Sequence, residues 1–267
     1  MTDYPKAIIP PFHTEPVPRR IRAVLADQVV LDTTSARYVW EWPYYPQYYI
    51  PIADVTPNAL VDERRTERLD GGTVHRYGLR AGEILRPSCV AVYTDDSRPG
   101  LAGMVRFDWN GPDAWFEEDE EVFVHPRNPY TRVDAVRSTR HIRVELDGVT
   151  LAESRSPVMV FETGLPTRYY LNRLEVNLAH LVPTDTITAC PYKGRTTGYW
   201  SARIGDRIYR DLAWSYGFPT AQLQAIAGLI AFYNEKVDMF VNGRPVARPS
   251  THFSSDDDRP AKWPADG

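Results

Sequence analysis

An internal repeat constrains the fold of this 267-residue chain more than any other feature of its sequence. Shifted by 121 residues, residues 21–55 align without a gap on residues 142–176, and at a shift of 125 further matches follow in the same order. A preserved order of matches over this length indicates duplication rather than chance. The sequence therefore predicts two copies of one domain, at residues 19–136 and 137–247.

The two ends of the chain lie outside this repeat and differ from it in composition. Residues 1–18 contain five prolines and little periodicity, which predicts an extended N-terminal arm. Residues 248–267 are polar and include an Asp-Asp-Asp run, which predicts a mobile acidic tail.

The overall composition argues against several classes of protein. The net charge of −4 does not suggest the basic face that nucleic-acid-binding proteins show. No apolar run approaches the roughly 18 residues that span a bilayer, and the N-terminal residues lack the apolar core of a signal peptide. The two cysteines, Cys89 and Cys190, form no C-x-x-C pair, so no thiolate zinc site is expected. We expect a cytoplasmic protein without nucleic-acid or membrane partners. The cofactor and the oligomeric state remain open.

Short strands and tight turns dominate the pattern of each copy. The dipeptides Asp147-Gly148 and Gly205-Asp206 each separate two strand-like runs, as in β-hairpins. After Pro219, apolar residues follow at helical spacing. They are Leu223, Ile226, Ala227 and Ile230. In the first copy, Gly100 and Gly103 weaken the corresponding helix. The predicted fold class is α+β, mainly antiparallel β, with one helix in each copy.

One loop in the second copy has no counterpart in the first. It reads Cys190-Pro191-Tyr192-Lys193-Gly194, and residues 62–72 of the first copy are charged instead. Only four of the 31 basic residues are lysines, and Lys193 alone is predicted to lie in a structured loop. A shielded lysine can act as a base, an imine-forming amine or an anion clamp. If the site is catalytic, we predict Lys193, Cys190 and Tyr192 as its catalytic residues, with Lys193 as base or electrophile, Cys190 as nucleophile and Tyr192 or Tyr199 as proton donor. A solvated lysine and a structural cysteine are the alternatives.

Aromatic side chains in the second copy are predicted to form the walls of a ligand site around this loop. The candidates are Tyr170, Tyr199, Trp200, Trp214 and Tyr216. Glu162 and Arg168 flank the turn before Tyr170, and Arg168 is suited to bind an anionic group beside Lys193. Packing in the core is the alternative role for the aromatics. A buried ion pair that closes the turn is the alternative for Glu162 and Arg168.

A second aromatic concentration lies in the first copy. Seven of the twelve residues from Tyr38 to Tyr49 are aromatic. They predict either a packed core or an interaction surface that uses this copy. An interaction surface requires these side chains to be exposed, whereas a core buries them.

Several longer motifs resemble one known family. They include Phe161-Glu-Thr-Gly-Leu-Pro-Thr-Arg-Tyr-Tyr-Leu, Cys190-Pro-Tyr-Lys-Gly, Leu212-Ala-Trp-Ser-Tyr and Ala227-Gly-Leu-Ile-Ala-Phe-Tyr-Asn-Glu-Lys-Val-Asp. Over about residues 19–247, the chain resembles two-copy members of the domain of unknown function four-two-seven, which is also labelled a nucleotidyltransferase. The resemblance implies a β-tent-like fold, related to the drug-binding domain of cereblon and to B-type methionine sulfoxide reductases. The zinc of those relatives is held by two C-x-x-C pairs, which this chain lacks.

Three functions follow as hypotheses. The first is binding of a small polar or anionic molecule in the second copy, with or without catalysis. The second is metal-dependent nucleotidyl transfer, as the family label suggests, although the sequence shows neither a phosphate-binding loop nor paired aspartates in a strand. The third is a non-catalytic interaction module that uses the aromatic first copy.

Overall fold

The computed structural model describes residues 9–251, which divide into two compact units at residues 9–128 and 129–251. Part of the predicted arm, residues 1–8, lies outside the described residues. So does most of the predicted tail, residues 252–267. No helix in the described part of the chain is long and apolar enough to cross a membrane.

Two antiparallel sheets make up the first unit. Its described strands are β1 (Thr14–Pro16), β2 (Ile21–Leu25), β3 (Gln28–Thr33), β4 (Arg37–Trp42), β5 (Tyr45–Pro51), β6 (Leu60–Leu69), β7 (Gly72–Ala81), β8 (Ile84–Tyr93), β9 (Met104–Phe107), β10 (Ala114–Glu117) and β11 (Glu120–Val122). The larger sheet has the order β1-β4-β5-β9-β8-β7-β6, and the smaller has the order β11-β10-β2-β3. A short 3-10 helix, Ile52–Asp54, follows β5.

The second unit repeats this architecture. Its described strands are β12 (Val133–Arg137), β13 (Ile142–Leu146), β14 (Val149–Ser154), β15 (Val158–Glu162), β16 (Arg168–Leu171), β17 (Leu181–Pro183), β18 (Ala189–Cys190), β19 (Gly194–Arg195), β20 (Gly198–Ile204), β21 (Arg207–Ser215), β22 (Ile230–Phe232), β23 (Asp238–Val241) and β24 (Arg244–Val246). The larger sheet has the order β12-β15-β16-β22-β21-β20-β17, and the smaller has the order β14-β13-β23-β24. Three 3-10 helices are described, at Arg173–Glu175, Leu178–His180 and Ala221–Ile226.

The two units share their strand order and their register. Thr14 of β1 faces Val39 of β4, and at the same shift of 121 Ala135 of β12 faces Val160 of β15. Strand β12 therefore pairs inside the second unit, so the second copy extends upstream of residue 137. The structure confirms the predicted fold class, mainly antiparallel β in two copies.

Each larger sheet is covered on both faces. In the second unit, the inner face packs against the smaller sheet, with Tyr169 and Leu171 in that core. Tyr170 lies between them in sequence and joins a separate cluster on the opposite face, which we call the outer face. This division follows from the alternation of side chains along a strand. The outer face holds the candidate site.

The prediction of a regular helix after Pro219 is wrong. The chain there forms only a 3-10 helix, Ala221–Ile226, with non-helical backbone at Leu223. Gly228 then adopts a φ of +71°, which ends any helical course, and Ile230 already belongs to β22. The apolar spacing arose because Leu223 and Ile226 bury themselves over the sheet, whereas Ile230 lies within it.

The prediction of an equivalent helix in the first copy is also wrong. Gly100 and Gly103 both have positive φ and lie in a turn that leads directly into β9. In both copies this segment is a glycine turn followed by a central strand of the larger sheet.

Replacing Gly228 by alanine tests this correction. In an α-helix the change would raise the free energy of unfolding by about 1 kcal/mol. At a positive φ we instead expect a decrease of about 1–2 kcal/mol, because a Cβ disfavours the left-handed region. Gly103→Ala, at the equivalent turn, should show the same loss. Urea denaturation measures both, and a gain of stability in either variant would contradict the turn.

Candidate functional site

A row of four side chains crosses the outer face of the second unit. Adjacent strands place Tyr199 opposite Trp214, Trp214 opposite Ala231, and Ala231 opposite Tyr170. The indole Nε1 of Trp214 donates to the Tyr170 hydroxyl at 3.2 Å, above the small Ala231. Tyr216, two residues after Trp214, belongs to the same buried cluster. The structure thus brings together four of the five aromatic candidates.

Trp200 lies elsewhere. It follows Tyr199 on β20, so its side chain points to the inner face and packs in the core between the two sheets. There its ring is 5.9 Å from the Arg173 guanidinium. Trp200 therefore lies on the opposite face of the sheet from the other four aromatic candidates.

The predicted loop forms a small hairpin that carries Lys193 inward. Cys190 on β18 pairs with Gly194 on β19, and Gly194 has a φ of +97°, a conformation that favours glycine. Thr220 fixes the hairpin from outside, since its Oγ1 donates to the Tyr192 carbonyl at 2.7 Å. The Thr220 N–H donates to the Lys193 carbonyl at 3.2 Å. With the backbone held, the lysine side chain is directed into the protein and is only 7% exposed.

Lys193 contacts two candidate residues. Its Nζ donates to Glu162 Oε2 in a buried ion pair, and it donates to Cys190 Sγ at 3.6 Å. Glu162 is the last residue of β15, so the ion pair joins the loop to the sheet. The tyrosine predicted as a proton donor, Tyr192, precedes Lys193 in the loop and is half-buried. The three candidate catalytic residues and Glu162 therefore come from one loop and one strand end.

Electrostatics assign protonation states to this cluster. Burial disfavours the charged ammonium, but Cys190 and Glu162 favour it more strongly, so the pKa of Lys193 lies above its usual range. Burial also raises the pKa of the Cys190 thiol, although the ammonium of Lys193 and the backbone N–H groups of Tyr192 and Lys193 act to lower it. At neutral pH the pair is an ammonium and a thiol. A lysine in this state donates protons and hydrogen bonds, whereas a base or imine-forming role needs the neutral amine.

Arg168 forms a second buried ion pair. Its guanidinium donates to both carboxylate oxygens of Glu235, at 2.5 and 2.7 Å, in the bidentate geometry that arginine favours. It also lies 5.8 Å from the ring of Trp214 and 5.6 Å from that of Tyr233. Against the effect of burial, these hydrogen bonds hold the pKa of Glu235 below its usual value. Arg168 therefore pairs with Glu235 rather than with Glu162.

Sequence reasoning had not assigned roles to Tyr233 and Glu235. The hydroxyl of Tyr233 is 2.5 Å from that of Tyr199, and the Tyr233 ring is 4.4 Å from Trp214. Both residues lie in the Tyr-Asn-Glu part of the motif that begins at Ala227. Their place in that motif is the sequence feature that could have marked them as candidates. The turn after β22 brings both residues close to Arg168, although Glu235 and Arg168 are 67 residues apart in the sequence.

The first unit holds a different set of side chains in the same places. Its equivalent row, by strand register, is Arg76, Ala91, Arg106 and Tyr49. Glu41, the counterpart of Glu162, accepts hydrogen bonds of 2.7 Å from both Tyr49 and Arg106. Both copies therefore keep the carboxylate, but its cation comes from a strand in the first copy and from the loop in the second.

Within residues 9–251, no three His, Cys, Asp or Glu side chains come together in an arrangement that could hold a metal ion. The candidate cluster itself offers one carboxylate and one thiol beside an ammonium. A positive charge at this place opposes cation binding, so this donor set does not fit a metal.

Two regions of the sequence, residues 13–118 and 134–243, match the family model NTP_transf_9, described as "Domain of unknown function (DUF427)". The chain belongs to this family. Each unit contains one DUF427 copy, which confirms the family recognised from the motifs. No curated protein matches the sequence.

The titration of Cys190 in the second DUF427 copy tests the assigned states. In a Cys89→Ser background, we expect the midpoint of the pH dependence of iodoacetamide alkylation to lie higher in the folded protein than in the urea-unfolded chain. Burial raises the thiol pKa, and Lys193→Met should raise it further by removing a cation. Lys236→Met serves as the matched control and should leave the midpoint unchanged. A folded midpoint below the unfolded one would mean that Cys190 is a preformed thiolate.

Proposed function

We propose that the second DUF427 copy binds a small polar molecule beside the Glu162–Lys193 pair, against the aromatic side chains of the outer face. The observation that carries this proposal is an incompletely paired ammonium. A lysine has three N–H donors. Within the described residues, Lys193 has two acceptors, Glu162 and the weakly accepting sulfur of Cys190. Buried donors are rarely left without acceptors. The third N–H of Lys193 therefore supports the proposal that a bound molecule supplies an acceptor here.

The aromatic residues give this site its proposed walls. Tyr170, Trp214 and Tyr216 lie in one buried cluster with Tyr199, and their hydroxyl and indole groups add polar tips to apolar surfaces. Arg168 contributes a flat cationic face over Trp214. We leave Trp200 out of the proposed site because it packs in the inner core.

A catalytic version of this site gives each residue one role. The protonated Lys193 would donate a hydrogen bond or a proton to the bound molecule, and Cys190 would be the nucleophile after losing its proton. Tyr192, at the edge of the loop, would be a second proton donor. We further propose that the protein works in the cytoplasm without nucleic-acid or membrane partners. Its two cysteines are free, which supports a reducing compartment.

The interaction-module hypothesis receives less support. Of the seven aromatic residues from Tyr38 to Tyr49, five are buried. The exceptions are Trp42, which is 37% exposed, and Tyr44, which is 46% exposed. Most of this run serves the core of the first unit, which favours the packing interpretation over an exposed binding surface.

The family model's name supports nucleotidyl transfer as a second candidate. Such chemistry places carboxylates and metal ions against phosphates. The carboxylates of the candidate site, Glu162 and Glu235, are each occupied by a buried cation. Stabilisation of the protein by magnesium nucleotides, and not by other small molecules, would favour this candidate.

Native mass spectrometry of protein purified directly from cells tests the leading proposal. We expect the wild type to carry a bound mass that is lost on denaturation, and Lys193→Met to lack it because the donor is gone. Lys236→Met keeps the same residue change outside the loop and should retain the bound mass. A ligand present at 100 times its Kd would also raise the unfolding free energy by about 2.7 kcal/mol.

Two outcomes would contradict the proposal. If Lys193→Met keeps the bound mass, the ligand lies elsewhere. If no variant carries a mass, and no compound in a thermal-shift panel of small amides, carboxylates and alcohols stabilises the wild type, then the second copy is not a small-molecule site.

A further inference from the structure

The amine of Lys193 and the thiol of Cys190 are close enough to react with each other. The Nζ atom of Lys193 and the Sγ atom of Cys190 are 3.6 Å apart. The two residues are three positions apart in the hairpin formed by β18 and β19. Cys190 is half-buried as a residue, whereas Lys193 is buried.

Glu162 gives the lysine a route to its neutral form. The ammonium and the carboxylate are in direct contact and buried, so one proton shift along the hydrogen bond yields an amine and a carboxylic acid. A low-dielectric environment reduces the cost of that neutral pair relative to separated charges. The amine formed in this way already lies against the sulfur.

We propose that hydrogen peroxide converts Cys190 and Lys193 into a covalent sulfur–nitrogen cross-link, a modification that does not depend on the proposed ligand. In the first step Cys190 loses its proton and the thiolate attacks peroxide. An S–O bond forms, the O–O bond breaks, and the leaving hydroxide takes up that proton and departs as water. Sulfur loses two electrons and peroxide gains them. In the second step the Lys193 amine attacks the sulfenic sulfur, the S–N bond forms, and the S–O bond breaks.

The atoms of the sequence balance without another reagent. The sulfenic oxygen leaves as water with one proton from the amine, and Glu162 passes the remaining ammonium proton to solvent. A thiol, an ammonium and one peroxide thus give one sulfenamide, two waters and one proton. The cross-link replaces the ammonium with a neutral group, so Glu162 loses its partner charge. A thiol reductant cleaves the S–N bond and restores both residues.

Cys89 provides a natural control within the same chain. It is buried, and its thiol donates to the Arg86 carbonyl at 3.3 Å. The cation that influences it is Arg76, whose guanidinium stays protonated and is a poor nucleophile. Oxidation at Cys89 can therefore proceed to the ordinary oxygen acids without a cross-link to nitrogen.

The test treats the full-length Cys89→Ser protein with hydrogen peroxide and reads the products by intact mass and by trypsin mapping. We expect a loss of about 2 Da, because two hydrogens are removed and no oxygen is retained. We also expect trypsin to stop cutting after Lys193, because a modified lysine no longer fits the enzyme. Dithiothreitol should restore both the mass and the cut.

Two variants separate the cross-link from simple oxidation. Cys190→Ser, with Cys89 retained, should show neither the mass loss nor the blocked cut. Lys193→Arg keeps a cation beside the sulfur but removes the nucleophile, so Cys190 should accumulate as sulfenic acid that dimedone traps. The mapping of the Cys89→Ser protein decides the question even where a substitution in the loop impairs folding. If the Cys89→Ser protein gains oxygen at Cys190 while trypsin still cuts after Lys193, the proposal is overturned.

Discussion

The ion pair between Glu162 and Lys193 holds the loop at residues 190–194 against the sheet, and the first copy has no counterpart of this loop. Removing both charges from water is costly, and only close mutual contact with further hydrogen bonds compensates for that cost. The lysine can reach the carboxylate only if the hairpin around it folds inward, so the ion pair and the loop conformation require each other. Thr220 and Gly194 supply the backbone geometry that makes this possible.

The first copy shows what the same carboxylate requires when no such loop exists. Glu41 is neutralised by Arg106, which projects from the central strand β9. In the second copy, alanine stands at that strand position, and the space above it is crossed by the Trp214–Tyr170 hydrogen bond. The copy with alanine at this position thus has its cation on the loop and the Trp214–Tyr170 pair over the strand. The cation that neutralises the carboxylate comes from the sheet in the first copy and from the loop at residues 190–194 in the second.

Local patterns predicted the scaffold well. The duplication and the Asp147-Gly148 and Gly205-Asp206 hairpins are as the sequence indicated, because turn chemistry and alternation act over a few residues. The helix after Pro219 failed because two buried residues at a spacing of three fit a single 3-10 turn as well as a helix. The glycine that follows decides between them through its φ, which spacing alone does not reveal.

The site was only partly predictable, for a different physical reason. Composition singled out Lys193 and the aromatics as candidates but did not assign them to a face of the sheet. Alternation along β20 puts Tyr199 and Trp200 on opposite faces, but the sequence does not show which of the two packs between the sheets. The partners Glu162 and Glu235 lie 31 and 67 residues from their cations, and only the tertiary fold, through a loop and a turn, brings them together.

The charge arrangement narrows the chemistry that this family member can support. Both buried cations of the second copy already have carboxylate partners, so the outer face offers hydrogen-bond donors and aromatic surface without an excess of charge. If the proposed molecule binds here, it meets Lys193 as an ammonium, because Cys190 and Glu162 raise the pKa of the lysine against the effect of burial. A reaction that needs the free amine would first have to move a proton from Lys193, and the Glu162 carboxylate is the group in direct contact with that ammonium.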